Sequence, residues 1–334
     1  MLYGGSPNPS SRDSAGSNLS HLFFSIAAAL YTLLSLIIHA CTGVMAPRRM
    51  PIARASLQAA IEHISSTPGS FSLVDADDGW PFPRDSRSGI HLAILDSSFN
   101  PPTFAHQAII SSSYPVKAKP YTARLLLYTP KNAAKTPTAS DATPLQRLEM
   151  MSLLSSSLRS LQASKTQQES IATALIHAPT FVAKASILRS YLVNELNLGQ
   201  RGEEAELSFL VGMDTLLRIF DPKYYPEGEM RTKLEGFFLP PPRGAGANLV
   251  SARRGTTLAD REFEENLLKR DDVKPWVENG KVRVLGDGRD GWENVSSTLV
   301  RERVRKSDWE SVNKLLGEGM SMYIQKEGLY FASN

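Results

Sequence analysis

The sequence predicts an α/β fold, a doubly wound parallel sheet with helices on both faces. Two observations carry this. Ile90 to Leu95, Arg124 to Tyr128, Ile171 to Ile176 and Glu206 to Val211 are short, largely apolar runs suited to strands covered on both sides. Between them lie Pro144 to Leu161 and Phe181 to Leu196, with apolar residues at helical spacing. Strands alternating with helices build a parallel sheet, and such sheets bind ligands at their carboxyl edge.

With 334 residues, the chain has room for one large α/β domain or two small ones. A net charge of +3 is close to balance and gives no sign of a general nucleic-acid binder or a polybasic membrane protein. The single cysteine, Cys41, allows no intrachain disulfide and no cysteine metal site, which favours a reducing compartment.

Residues 1 to 20, rich in Ser, Gly, Asn and Pro, are expected to be disordered. Leu22 to Ile38 is almost wholly apolar, at the short end of a membrane-spanning helix. Arg48, Arg49 and Arg54 follow it, so insertion would leave the C-terminal part in the cytosol. The competing reading starts the protein at Met45 or Met50, with residues 1 to 44 outside it; a cleaved signal peptide is the third. Pro51 to Ser65 carries Ile52, Leu57, Ala60, Ile61 and Ile64 at helical spacing, an amphipathic helix for the domain edge. Residues 66 to 89 read as a loop, and Asp75, Asp77 and Asp78 within it as a solvated turn, since the later Glu of a calcium loop is missing.

After Ile90 to Leu95, Pro101 and Pro102 forbid further ladder pairing. Thr103, followed by Ala105, Ala108 and Ile109, opens a helix. His106, about one turn in, then points back toward an anion held at the helix N-terminus. Arg124 to Tyr128 runs into a loop containing Lys131 and Lys135. Pro144 sits in the first turn of the next helix, which carries Arg147, Met150, Met151 and Leu154 at helical spacing. Glu206 to Val211 ends in Gly212-Met213-Asp214, with Asp214 placed to cap Thr215 to Phe220. Pro240 to Gly246 reads as a flexible insertion or lid, and Val282 to Leu285 as the last strand. Ser296 and Ser297 then cap a helix with Val300 and Val304 on its core side and Thr298, Arg301 and Arg305 on the other. A cap, free backbone N–H groups and an arginine at one helix start make a phosphate site.

Two of these stretches carry a family resemblance. Ser97-Ser98-Phe99-Asn100-Pro101-Pro102-Thr103-Phe104-Ala105-His106 resembles the Gly-Ser-Phe-Asn-Pro-x-Thr-x-x-His signature of nicotinamide mononucleotide adenylyltransferases, and Val295 to Arg301 resembles their Ile-Ser-Ser-Thr-x-x-Arg. Gly212-Met213-Asp214 is similar to the family's Gly-x-Asp turn, Val250 to Gly255 to its Val-x-x-Arg-x-Gly, and Gly328-Leu329-Tyr330 to its terminal Gly-Leu-Tyr. The resemblance covers residues 90 to 330.

It implies a Rossmann-like fold whose C-terminal helices close the phosphate site. The chain then divides into an extension (1–50), a helix and loop (51–89) and a nucleotidyltransferase domain (90–334). The implied activity is transfer of AMP from ATP to nicotinamide mononucleotide or its acid analogue, giving NAD and pyrophosphate. Magnesium would be carried mainly by the ATP phosphates, with no metal ligands from the protein. His106 and Arg301 would be catalytic. Ser97, Ser98, Phe99, Thr103, Lys135, Gly212, Asp214, Arg253, Ser297 and Thr298 would hold the nucleotide. No nucleic-acid partner is expected, a membrane only through the apolar segment, and the location is cytoplasmic or nuclear.

Two departures stand out. Ser97 occupies the place of the family's glycine, putting a Cβ where phosphate and backbone approach. The tryptophans that stack on the pyridine ring have no match, and Phe181, Tyr224 and Tyr225 replace them only by position. These departures keep open two alternatives of the same fold, a catalytically impaired nucleotide-binding regulatory protein and an ATP hydrolase.

Overall fold

The computed structural model describes residues 52–82, 89–130, 141–163, 168–253, 255, 257–285 and 291–331. The apolar segment Leu22 to Ile38, Cys41, Lys131 and Lys135 lie outside them. In chain order the elements are α1 (Arg54–Ser66), β1 (Phe71–Ala76), β2 (His91–Asp96), α2 (Phe104–Ser111), β3 (Ala123–Tyr128), α3 (Pro144–Gln162) and β4 (Ser170–Ile176). There follow α4 (Phe181–Ser190), α5 (Gln200–Glu203), β5 (Glu206–Gly212), α6 (Met213–Ile219), α7 (Met230–Phe238) and β6 (Ala247–Ala252). The last are α8 (Leu258–Lys269), α9 (Lys274–Glu278), β7 (Val282–Val284), α10 (Ser297–Arg305), α11 (Trp309–Leu316) and α12 (Glu318–Lys326).

The sheet runs β1-β4-β3-β2-β5-β6-β7. All pairs are parallel except β1 with β4. The parallel order grows outward from β2 in both directions, so the gap between β2 and β5 is the topological switch point, where open α/β sheets form their ligand crevice. Leu95 pairs with Leu210 across it, which brings the turns after Asp96 and Gly212 side by side.

Alternation along β2 divides the core. Leu92 and Ile94 pack with Leu125, Phe209 and Phe237 on one face. Ala93 and Leu95 pack with Leu126, Leu210 and the α1 residues Leu57, Ile61 and Ile64 on the other. A third cluster joins Val300, Val304, Val312, Ile324 and Tyr330 to Met150 of α3, so the C-terminal helices are fastened beside the sheet's carboxyl edge. Burying one such aliphatic side chain contributes about 1.5–3 kcal/mol.

Several expectations change. Residues 66 to 89 are not all loop, because β1 extends the sheet antiparallel to β4, from Phe71 opposite Ile176 to Ala76 opposite Ala172. Its Asp75 and the following Asp77 are not a solvated turn. Each pairs with Arg159 of α3 at 2.7 Å, and Asp77 also accepts the Ile171 amide at 3.0 Å. The helix expected over Phe181 to Leu196 is α-helical to Ser190 and closes with a wider π turn, Tyr191–Glu195. At the C-terminal side, α11 and α12 meet at Gly317, whose φ of 82° lies in the left-handed region.

Nor is Pro240 to Gly246 a free lid. Gly246 N–H donates to Leu239 O at 2.7 Å, Ala245 N–H to Gly236 O at 2.8 Å, and the buried Arg189 guanidinium to Ala245 O at 2.7 Å. Among the described residues no helix is long and apolar enough to cross a membrane.

Candidate active site

The turn after β2 folds inward. Phe99 takes φ 46° and buries its ring fully, 5.6 Å from the ring of His106 in the first turn of α2. His106 is held at both nitrogens. Its Nδ1 accepts the backbone N–H of Thr103 at 3.1 Å and lies 3.0 Å from the Thr103 hydroxyl. Its Nε2 lies 3.0 Å from Ser97 Oγ.

A backbone N–H can only donate, so Nδ1 must present its lone pair and the proton of the neutral ring sits on Nε2. Burial pushes the imidazole down to about 4, so it is neutral near pH 7. The Ser97–His106 pair therefore looks like a nucleophile with its base but runs the other way. The imidazole donates and the hydroxyl accepts, which leaves no base to activate the serine.

The second motif docks on the first. Ser296 Oγ accepts the Leu299 amide at 3.1 Å and caps α10, as its sequence predicts. Ser297 Oγ donates to Pro101 O at 2.7 Å, and Arg301 donates to Asn100 O at 2.6 Å and to Thr298 Oγ1 at 3.2 Å. The Asn100 side chain is enclosed in turn. Its Oδ1 accepts from Tyr330 at 2.9 Å and from the Ala142 amide at 3.1 Å, and its Nδ2 donates to Asp141 at 2.5 Å. Arg147 donates to Ala142 O at 2.8 Å and to Ser98 O at 3.4 Å, so it braces this loop and is not on a solvated face.

Across the switch point, Gly212 has φ −77°, which any residue can adopt, and a Cβ added there would meet nothing within 4 Å. The fold does not require glycine; the open space before it gives a ligand close access to the backbone. Asp214 does not cap α6 as expected, because the helix already starts at Met213 with Gly212 as its N-cap, placing Asp214 in the first turn. Asp214 lines a cleft of about 620 Å³ together with Leu217, Arg218, Phe220, Tyr224 and Arg270.

Of the three aromatic substitutes, Tyr224 is 49% exposed and lines this cleft. Tyr225 spends its hydroxyl on Ile219 O at 2.6 Å. Phe181 packs edge-on to Phe209 at 5.6 Å, with the Lys184 ammonium 5.4 Å from its centroid. Arg253 lies at the end of β6, where its guanidinium meets Glu264 of α8 at 3.4 Å.

Sequence reasoning passed over three contributors. Asn100 and Tyr330 stood inside the quoted motifs, yet only the fold shows that they bond to each other. The ion pair of Asp96 with Lys184, directly before Ser97, has no sequence signal at all.

No family model matches the chain. Over 231 residues it is 31% identical to a Schizosaccharomyces pombe protein that carries the provisional name nicotinamide mononucleotide adenylyltransferase, covering 67% of this chain and 80% of that relative. The chain belongs to the nicotinamide mononucleotide adenylyltransferase family. It is also 30% identical over 131 residues to the nicotinate-nucleotide adenylyltransferase of Salmonella typhimurium, spanning 39% of this chain and 55% of the bacterial protein. A solved Plasmodium falciparum nicotinic acid mononucleotide adenylyltransferase, complexed with APC, is 16% identical and matches 72% of this chain and 97% of its own with a TM-score of 0.47. As a nucleotidyltransferase of this family, the protein combines at one sheet edge a neutral N–H donor, an arginine and a capped helix start. That set suits phosphate and a reaction in which negative charge builds on oxygen.

Proposed function

We propose that the protein transfers AMP from ATP to nicotinamide mononucleotide or its acid analogue, giving the dinucleotide and pyrophosphate. The observation that carries this reading is the docking of the two motifs, Arg301 on Asn100 O at 2.6 Å and Ser297 on Pro101 O at 2.7 Å, beside His106. An acceptor phosphate oxygen attacks the α-phosphorus and pyrophosphate leaves with the electron pair of the broken bond. No protein nucleophile is needed, so catalysis rests on position and charge.

In this reading the His106 pair stabilises charge on the transferring phosphoryl group. Arg301, Ser297 and Thr298 hold the leaving phosphates, and Ser98, Phe99 and Thr103 shape the loop they rest on. Gly212 admits the nucleotide to the backbone, Asp214 contacts a ribose, and Arg253 and Lys135 supply positive charge, Lys135 from outside the described residues. Among the described residues no three metal-ligating side chains converge. In the proposed reading a magnesium ion would be carried by the ATP phosphates and water, and when bound would neutralise their charge. The exposed Tyr224 is the aromatic best placed to face the pyridine ring, where cation–π attraction contributes ~0.5–2 kcal/mol to holding a cationic ring.

The test incubates purified protein with ATP, magnesium and either mononucleotide and follows dinucleotide and pyrophosphate. Stoichiometric formation of both is expected. ATP binding without product would leave the regulatory reading, and ADP or AMP release without acceptor would leave the hydrolase.

A further inference from the structure

Ser97 takes the place of the glycine in the resembling motif, and its hydroxyl lies 3.0 Å from His106 Nε2. The Thr103 amide on Nδ1 sets the direction of that bond, from imidazole to hydroxyl. Among the described residues His106 is the only side chain bonded to the Ser97 hydroxyl, so its own proton is left for a ligand. The position is telling. Ser97 follows β2 directly, at the switch point, and both it and His106 keep part of their surface exposed. An oxyanion at this strand end can therefore accept from the serine hydroxyl, whose proton the imidazole does not use.

We propose that Ser97 is the group that touches the transferring phosphoryl oxygen, with His106 acting through it as a positioning and polarising residue. This rests on the adenylyl-transfer reading. As the acceptor oxygen bonds to the α-phosphorus and the bond to pyrophosphate breaks, charge grows on a non-bridging oxygen. The Ser97 O–H donates to that oxygen while accepting from His106 Nε2–H, and both protons stay where they are. Two hydrogen bonds in series polarise each other, so the serine donates more strongly than a lone hydroxyl. The serine thus replaces the imidazole at the phosphate, which is a different outcome from blocking it.

The experiment compares wild type, Ser97→Ala and Ser97→Gly, each with and without His106→Ala, by steady-state kinetics, and reads the His106 tautomer from ¹⁵N NMR shifts. Ser97→Ala should lower kcat on the order of a hundredfold with the KM for ATP within about threefold, because a transition-state donor is lost. Ser97→Gly should recover to within about fivefold of wild type, since removing Cβ lets phosphate reach Nε2–H directly. His106→Ala should then add little in the alanine background and cost its full effect in the glycine background, the non-additivity of groups acting in series. An alanine variant within about twofold of wild type overturns the proposal, as does a glycine variant no better than alanine. Should the wild type bind ATP yet form no dinucleotide, the activity reading falls, and the NMR arm decides alone. A proton on Nε2 supports the arrangement, and one on Nδ1 overturns it. Melting temperatures of all variants separate these effects from loss of fold.

Discussion

Tyr330 donates its hydroxyl to the side-chain carbonyl of Asn100 at 2.9 Å, joining positions 230 residues apart. The buried bond ties the loop between β2 and α2 to the segment after α12, and the same asparagine receives Arg301 on its backbone carbonyl. Tyr330→Phe keeps the packing and removes one bond, a loss of about 1 kcal/mol. A small fall in melting temperature and a several-fold fall in kcat are expected. An unchanged kcat would show that the loop needs no such clamp.

His106 should act as a neutral donor. His106→Ala should lower kcat about a hundredfold or more while leaving ATP affinity within a few fold. The pH–rate profile should stay flat through the ordinary histidine range, because burial has moved the ring down to about 4. An inflection near pH 6.5 that disappears in His106→Ala would contradict this.

The same shift makes a prediction for stability. A histidine lower in the folded than in the unfolded state means that the unfolded chain binds more protons between the two values. The contribution is present above the unfolded value of 6.5 and is lost as pH falls toward about 4. His91, also lowered by burial, acts in the same direction. Melting temperature measured from pH 7 down to 4 should fall, and less steeply in His106→Gln than in wild type.

Arg301→Ala removes a brace on the Asn100 carbonyl and, in the proposed reading, a contact to the outer phosphates. ATP affinity and kcat should both drop, each by about tenfold or more, while AMP binding changes little. Equal losses for ATP and AMP, read by calorimetry, would place the arginine elsewhere than on the outer phosphates.

The aromatic assignment separates neighbouring tyrosines. Tyr224→Ala should raise the acceptor KM and leave that for ATP within about twofold, since its ring lines the cleft beside Asp214. Tyr225→Phe should lower melting temperature, through the lost bond to Ile219 O, with no effect on acceptor KM. The reverse pattern would move the ring site to Tyr225.

The sheet was legible because strands buried on both faces have little choice of residue. Ile90 to Leu95 announces β2 through its own composition, and Ser296 announces a cap through its chemistry. What stayed hidden depends on partners far along the chain. Asp75 and Asp77 look like solvated turn residues until Arg159 is folded against them. Pro240 to Gly246 looks like a lid until Arg189 reaches its carbonyl. Ser97 could be seen to differ from glycine, but its bond to His106 needed the turn of α2 to bring Nε2 within 3.0 Å.

The distance between the two motifs also orders events during synthesis. β2 and the His106 turn leave the ribosome well before Ser297, Arg301 and Tyr330, which fasten to Asn100 and Pro101. Domains form as their residues become available. A nascent chain can therefore assemble its central strands but cannot set the Asn100–Pro101 loop. In the proposed reading, competence to turn over ATP requires α10 to α12, so translation products interrupted before them should be inactive toward the nucleotide even where the sheet has formed.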